Sequence, residues 1–283
     1  MDKLVIKEVS PRDGLQIVKP VSLDVKEQFI RKLIDANIKH IEIGSFVNAK
    51  KVPQMAKTKE LIIRLQDELD KCHLFCLVFT SSKMKEVIES KLSEVSIIIA
   101  ASETFNQKNI QCTTKEAIKR ASEIITISKS NNIKVRAYVA MAFGCPYEGD
   151  IPLKKVMNLA EFYLQQGVDE LIFADTIGYA IPTKIKETLV EAKKICRDHI
   201  IGMHLHDTKK MAKANTLESI KQGVRIFDSS VGGLGGCPFA KGAKGNISTE
   251  DMLQIASELG FSTGIDREKL NLARNYIFDQ LKV

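Results

Sequence analysis

The chain has 283 residues and a formal net charge of +7, with 44% hydrophobic and 27% charged residues. That length suits two small domains or one large α/β barrel, and either can bury a sizeable core. No apolar run is long enough to cross a bilayer, and the lysines are spread along helical stretches with no dense basic cluster or interleaved aromatics, so neither a membrane nor a nucleic acid is an expected partner.

The first residues, Met1-Asp2-Lys3-Leu4-Val5-Ile6, run directly into an apparent strand and lack the basic-then-apolar layout of a signal peptide. Apolar, β-branched runs of strand length then recur at 4–9, 40–44, 74–79, 95–100, 135–141, 170–174, 201–206 and 226–231. Stretches of helical period lie between most of them, at 22–36, 114–131, 152–166, 182–197 and 211–222. Ser22 and Thr114 suit N-caps, and Pro152 and Pro182 suit first helical turns. Eight strands separated by helices predict a parallel (β/α)8 barrel filling the chain as one domain, residues 1–283, with a C-terminal helical cap over about 248–283. An open doubly wound sheet would call for a Gly-rich phosphate turn after its first strand. Here that strand ends in Ser10-Pro11-Arg12-Asp13-Gly14.

The cysteines, Cys72, Cys76, Cys112, Cys145, Cys196 and Cys237, are scattered, and no Cys-x-x-Cys occurs. They do not read as a disulfide framework, which together with the N-terminus predicts a cytoplasmic protein. Cys145 and Cys237 differ from the others in lying on loops rich in Gly and Pro.

A barrel carries its chemistry at the C-terminal ends of its strands. Arg12 and Asp13 follow the first strand, Glu42 ends the second, Asp175 and Thr176 follow the sixth, and His204 and His206 end the seventh. The two histidines are spaced i, i+2, so a strand places both imidazoles on one face, either as a cation grip or simply as two polar positions. The eighth strand leads into Ser230-Val231-Gly232-Gly233-Leu234-Gly235-Gly236-Cys237, a glycine-hinged loop carrying a thiol. Asn246 follows, as a turn residue or as an amide-oxygen ligand returned to the barrel mouth. Asp13, His204, His206 and Asn246 would make a mixed nitrogen–oxygen metal site. Hard oxygen ligands without thiolate favour Mg²⁺ or Mn²⁺, and two histidines keep Zn²⁺ open.

Over nearly its whole length the chain resembles the 3-hydroxy-3-methylglutaryl-CoA lyase family of the metal-dependent Claisen-type barrels. The anchors are Pro11-Arg12-Asp13-Gly14-Leu15-Gln16, Ile41-Glu42 with Ser45-Phe46-Val47, Val52-Pro53-Gln54-Met55, Gly144-Cys145-Pro146-Tyr147-Glu148-Gly149, Asp175-Thr176-Ile177-Gly178, the His204–Thr208 run, and above all the cysteine loop over 228–240. Isopropylmalate and homocitrate synthases share the Arg-Asp-Gly and His-x-His pieces. They carry His-Asn-Asp and a Gly-Glu-Arg-Ala-Gly-Asn run where this chain has Asp207-Thr208 and the cysteine loop.

The resemblance implies cleavage of 3-hydroxy-3-methylglutaryl-CoA to acetoacetate and acetyl-CoA. Two alternatives stay open: a lyase for a related branched 3-hydroxyacyl-CoA, and a condensing acyl transferase of the isopropylmalate synthase type. It implies a cation held by Asp13, His204, His206 and Asn246, with Arg12 on the developing enolate oxygen and Cys237 in proton transfer from a closing lid. Gln16 joins Arg12 in substrate binding. Glu42 orients Arg12 or the ligand shell, Asp175 is structural or supports the ligands, and Glu250 ties the lid to the body. Asp13 and His204 are both candidates for the base that deprotonates the hydroxyl. A homodimer and an acyl-CoA ligand follow from the same resemblance. Ile17-Val18 and Lys209-Lys210 depart from the family pattern, which leaves the acyl specificity open; the two lysines read as surface charges.

Overall fold

The structure, a computed structural model, describes residues 2–50, 52–196, 200–236 and 245–282. Strands β1 (Val5–Glu8), β2 (His40–Phe46), β3 (His73–Val78), β4 (Glu94–Ala100), β5 (Lys134–Ala140), β6 (Glu170–Asp175), β7 (Ile200–Leu205) and β8 (Ile226–Ser229) pair in parallel and in sequence order. β8 returns to pair with β1, from Val5 opposite Ile226 to Glu8 opposite Ser229, and so closes the barrel. The described helices are α1 (Leu23–Asp35), α2 (Thr58–Arg64), α3 (Met84–Glu89), α4 (Glu103–Ile110), α5 (Thr114–Ser130), α6 (Leu153–Gln166), α7 (Pro182–Ile195), α8 (Ala212–Lys221), α9 (Thr249–Glu258) and α10 (Arg267–Leu281). None of them is long and apolar enough to cross a membrane. α9 takes the position after β8, and α10 lies against α1.

Local chemistry sets these elements. Ser22 caps α1 by accepting from the Val25 N–H, and the helix buries Phe29, Ile30 and Leu33 at helical spacing. Burial of such a side chain stabilises the fold by about 1.5–3 kcal/mol, and Leu33→Ala would cost about 2–5 kcal/mol. The cap of α5 is Thr113 rather than Thr114: Thr113 and Glu116 form a reciprocal capping box. Pro152 precedes the first turn of α6, whereas Pro182 opens α7 as its spacing predicts. The short helices α2, α3 and α4, of 7, 6 and 8 residues, are not among the periodic stretches, because about two turns repeat a helical pattern too few times to show it.

Beneath the mouth, the barrel interior is charged. On β1, Lys7 Nζ stands 2.8 Å from both Glu94 Oε1 and Glu170 Oε1. Arg136 on β5 donates from Nε to Glu170 Oε2 at 2.7 Å, and its Nη2 lies 2.7 Å from Asp228 Oδ1, an ion pair too bent for a good hydrogen bond. Arg136, Lys7 and Asp228 are all buried. Charges so deep persist only when each finds partners. This column runs from the N-terminal ends of the strands up to the site.

Candidate active site

The site begins at the turn after β1. Val9 carbonyl accepts from the N–H groups of Asp13 and Gly14, at 2.8 and 3.2 Å, and Ser10 carbonyl accepts from Leu15 at 2.9 Å. The result is one wide π-type turn over Ser10–Gly14, with Pro11 near its start, where a missing N–H costs nothing. It turns Arg12 and Asp13 into the barrel mouth, where both line a cavity of about 1170 Å³.

Arg12 Nε donates to Glu42 Oε2 at 2.5 Å, and its Nη1 donates to Asp13 Oδ1 at 2.7 Å. Glu42 does not end its strand as the sequence suggested. β2 continues to Phe46 past an irregular register between Glu42 and Gly44, and Glu42 is fully buried beneath Arg12, where the Ser96 hydroxyl donates to its other oxygen. Of the two groups the sequence left open for Glu42 to orient, it contacts Arg12. Burial opposes the charge on Arg12, but Glu42 and Asp13 outweigh it and hold the guanidinium above its ordinary range.

Facing Arg12 across Asp13 are the two imidazoles of the His-x-His pair. Their Nε2 atoms stand 3.1 Å apart, and His206 Nε2 lies 3.6 Å from Asp13 Oδ2. Ligating atoms of Asp13, His204 and His206 all fall within 4.8 Å of one another. Asn246 reaches the same place because its segment joins the end of β7: Asp207 N–H donates to Gly245 carbonyl and Ile247 N–H to Leu205 carbonyl, each at 2.9 Å. That close return requires Gly245, where a Cβ would stand 2.4 Å from Gly233 carbonyl. Asn246 Nδ2 donates to Asp13 Oδ2 at 2.8 Å and to Leu234 carbonyl at 3.1 Å, and its Oδ1 is buried without a partner.

This donor set fits a hard divalent cation. Two nitrogens each ~2.1 Å from one ion at a right angle stand about 3 Å apart, close to the spacing of the histidines. The amide oxygen of Asn246 is buried without a partner, a costly state that ligation would relieve. Burial alone would push Asp13 up, but Arg12 and the two histidines overcome it and hold the carboxylate well below its usual range. Burial lowers His206, which favours the neutral imidazole that can ligate.

The remaining residues sort by contact. Gln16 Nε2 donates to Asp13 Oδ1 at 3.0 Å and lines the cavity. Asp175 turns its carboxylate into its own loop, accepting from Tyr179 and Ala180 N–H at 2.8 and 3.0 Å, while its carbonyl accepts from His206 N–H. Burial raises it to about 6. Glu250 accepts from the Gly232 N–H at 2.9 Å, at the stem of the glycine loop. Cys237 lies outside the described residues. Lys209 sits 4.1 Å over the Tyr179 ring and does not line the cavity.

Sequence reasoning missed the residues beneath the ligands. Asp228 Oδ2 stands 3.0 Å from His204 Nδ1 and accepts from the Tyr138 hydroxyl at 2.7 Å. Glu8 accepts from Ser10 and Val231 N–H, both at 3.0 Å, and from the Thr249 hydroxyl at 2.6 Å, so it joins the turns that carry Asp13, the glycine loop and Asn246. The available signal was a charge inside an apolar strand run, as at Glu8, Arg136 and Asp228.

A closed parallel barrel with a carboxylate and two imidazoles gathered at its mouth, near enough to one another to share an ion, has the make-up of an α/β-barrel enzyme. A family model described as HMGL-like matches residues 3–277. Hydroxymethylglutaryl-CoA lyase, mitochondrial, of Homo sapiens is 39% identical over 280 residues, covering 99% of this chain and 86% of its own. The 3-hydroxy-3-isohexenylglutaryl-CoA/hydroxy-methylglutaryl-CoA lyase of Pseudomonas aeruginosa is 37% identical over 271 residues, 95% of this chain and 89% of its own. The solved structure of an HMG-CoA lyase from Acinetobacter baumannii, in complex with coenzyme A and 3-methylmalate, superposes with a TM-score of 0.93 at 33% identity, covering 99% of this chain and 92% of that one. The chain belongs to the HMGL-like family, among the hydroxymethylglutaryl-CoA lyases.

Proposed function

We propose that this protein cleaves 3-hydroxy-3-methylglutaryl-CoA to acetoacetate and acetyl-CoA, as one barrel domain with α9 and α10 as its C-terminal cap. The observation that carries this reading is the gathering of Asp13, His204 and His206 beside Arg12 in one cavity, with Asn246 hydrogen-bonded to Asp13 and its amide oxygen buried without a partner.

In the cleavage, the tertiary hydroxyl loses its proton and its oxygen becomes the ketone of acetoacetate. The C2–C3 bond breaks, and its electron pair passes into the thioester as an enolate. A proton returned to C2 completes acetyl-CoA. A divalent cation held by Asp13, His204, His206 and Asn246, Mg²⁺ or Mn²⁺ by its donor set, would bind the substrate's hydroxyl and carboxylate oxygens and make that hydroxyl more acidic. Asp13 and His204 are the candidate acceptors of the hydroxyl proton, His204 only when its Nε2 is not bound to the cation. Arg12, fixed by Glu42, carries a permanent positive charge to the enolate oxygen. Gln16 helps hold the acyl group, Cys237 returns the proton to C2, and Glu250 steadies the stem of its loop.

The cavity suits an acyl-CoA. Phe46, Val47, Leu77, Phe79 and Phe105 make apolar walls fit for a pantetheine arm, and Lys83, Lys108 and Arg120 also line the cavity, where they supply charge for phosphates. The exposed Ile17 lines it as well, at one of the departures from the family pattern, so a longer branched acyl group is the second reading. The five described cysteines are free thiols, in keeping with a cytoplasmic setting, and homodimer assembly belongs to the same reading. Incubation with 3-hydroxy-3-methylglutaryl-CoA and Mg²⁺, with acetoacetate read by a coupled assay, tests the proposal. Absence of acetoacetate while a longer-chain analogue is cleaved would move it to the second reading.

A further inference from the structure

Below the ligands, hydrogen-bond direction is fixed by one residue that can only donate. Arg136, fully buried on β5, offers five N–H groups and no acceptor. Its Nη1 donates to the Tyr138 hydroxyl, so the tyrosine oxygen is the acceptor there. The tyrosine's own hydrogen then goes to its remaining neighbour, Asp228 Oδ2, at 2.7 Å. Asp228 is an ionised carboxylate, paired with Arg136 Nη2 at 2.7 Å, and it accepts only. Its contact with His204 Nδ1 at 3.0 Å therefore places a hydrogen on Nδ1. A neutral imidazole carrying that hydrogen has its lone pair on Nε2, the atom that faces His206 Nε2.

We propose that Asp228 is the positioning residue of the site: it fixes His204 in the tautomer that presents an unprotonated Nε2 to the cation, and Arg136 with Tyr138 holds Asp228 in the accepting role. The inference rests on the metal-site reading above. It adds a residue that touches neither cation nor substrate, and a direction, running from the charged column to the ligand. Glu170 completes the support: it accepts from Arg136 Nε and is itself paired with Lys7. Hydrogen-bonded carboxylates behind ligating histidines typically change metal affinity by about 10–100-fold.

Asp228→Asn is a sharp probe because an amide has one accepting and one donating end. With its oxygen toward His204 and Tyr138, its NH₂ meets the Arg136 guanidinium. With its oxygen toward Arg136, its NH₂ meets His204 Nδ1 and selects the tautomer that carries hydrogen on Nε2, which cannot ligate. Either orientation weakens the site without altering its shape.

The test titrates Mn²⁺ into the full-length protein, with free ion read by electron paramagnetic resonance, and records imidazole ¹⁵N shifts of the metal-free protein with His204 assigned by a His204→Ala variant. The expected result is a His204 protonated on Nδ1 in the parent. Kd for Mn²⁺ should rise about 10–100-fold in Asp228→Asn and by less in Tyr138→Phe. A parent His204 carrying its hydrogen on Nε2 overturns the proposal with no Asp228 variant needed, which covers the case of Asp228→Asn failing to fold. A folded Asp228→Asn with unchanged Kd also overturns it. Failure of the underlying metal-site reading looks different: His204→Ala would then bind Mn²⁺ as the parent does.

Discussion

Glu42 grips Arg12 at 2.5 Å from beneath, through Nε, while Arg12 Nη1 is spent on Asp13. The guanidinium is thus held at two of its three nitrogens, and its charge sits beside the ligand cluster before any substrate arrives. Glu42→Gln keeps the shape and removes the counter-charge. Its expected effect is a fall in kcat of roughly tenfold with little change in KM, because an interaction with the developing enolate is realised only in the transition state. Arg12→Gln should lose about 10²–10³-fold in kcat. Steady-state kinetics check both, and a Glu42→Gln variant altered in KM alone would place Glu42 in ground-state binding instead.

Removal of the thiol should leave the metal site intact. Cys237→Ala is expected to lower kcat by about 10²–10⁴-fold, the usual range for a lost proton donor, with Mn²⁺ affinity unchanged. Turnover equal to the parent's would take Cys237 out of the chemistry.

Lys108 and Arg120 come from α4 and α5 and line the same cavity, so their charges should be felt by the nucleotide end of coenzyme A. Lys108→Glu or Arg120→Glu should raise KM for the CoA thioester by roughly tenfold, and more weakly at high salt. The same acyl group on pantetheine, which has no nucleotide, should show no such rise. Equal effects on both substrates would mean that the residues shape the cavity rather than bind phosphate.

Glu8 should make stability depend on pH. Burial raises it from 4.5 to about 7. Between those values the folded chain keeps a proton that the unfolded chain has released. Its contribution is therefore full below about 4.5 and is lost as pH rises through about 7. Glu8→Gln imitates the protonated acid, with one oxygen for the Ser10 and Val231 N–H groups and an NH₂ for Thr249. Relative to the parent it should gain stability from about pH 5 to about pH 8, by up to roughly 3 kcal/mol. Thermal melts across that range check the slope, and parallel curves for the two proteins would refute it.

Much of this was legible in the sequence, for physical reasons. Strand runs alternating with helical ones specify a barrel, and a barrel gathers strand ends, which is how Asp13, His204 and His206 could be placed together though far apart in the chain. Asn246 was legible only as one of two readings, because its position depends on a backbone return at Gly245 that no periodicity reveals. Glu42 was placed too high, since the sequence does not show where a strand with an irregular register ends. Asp228 went unread for a related reason. A carboxylate in an apolar strand looks like a strand-end charge until Arg136 and Tyr138, on a strand across the barrel, are seen to face it.

The charged column from Lys7 to Asp228 has a bearing on how this protein can change over time. An aliphatic interior tolerates drift, because Leu can give way to Met or Ile at small cost. Interlocked ions cannot be exchanged one at a time: each single replacement strands a buried partner at about 3–5 kcal/mol. The floor of the barrel, remote from the substrate, is thereby as constrained as the catalytic mouth, and innovation in this scaffold is confined to the loops above.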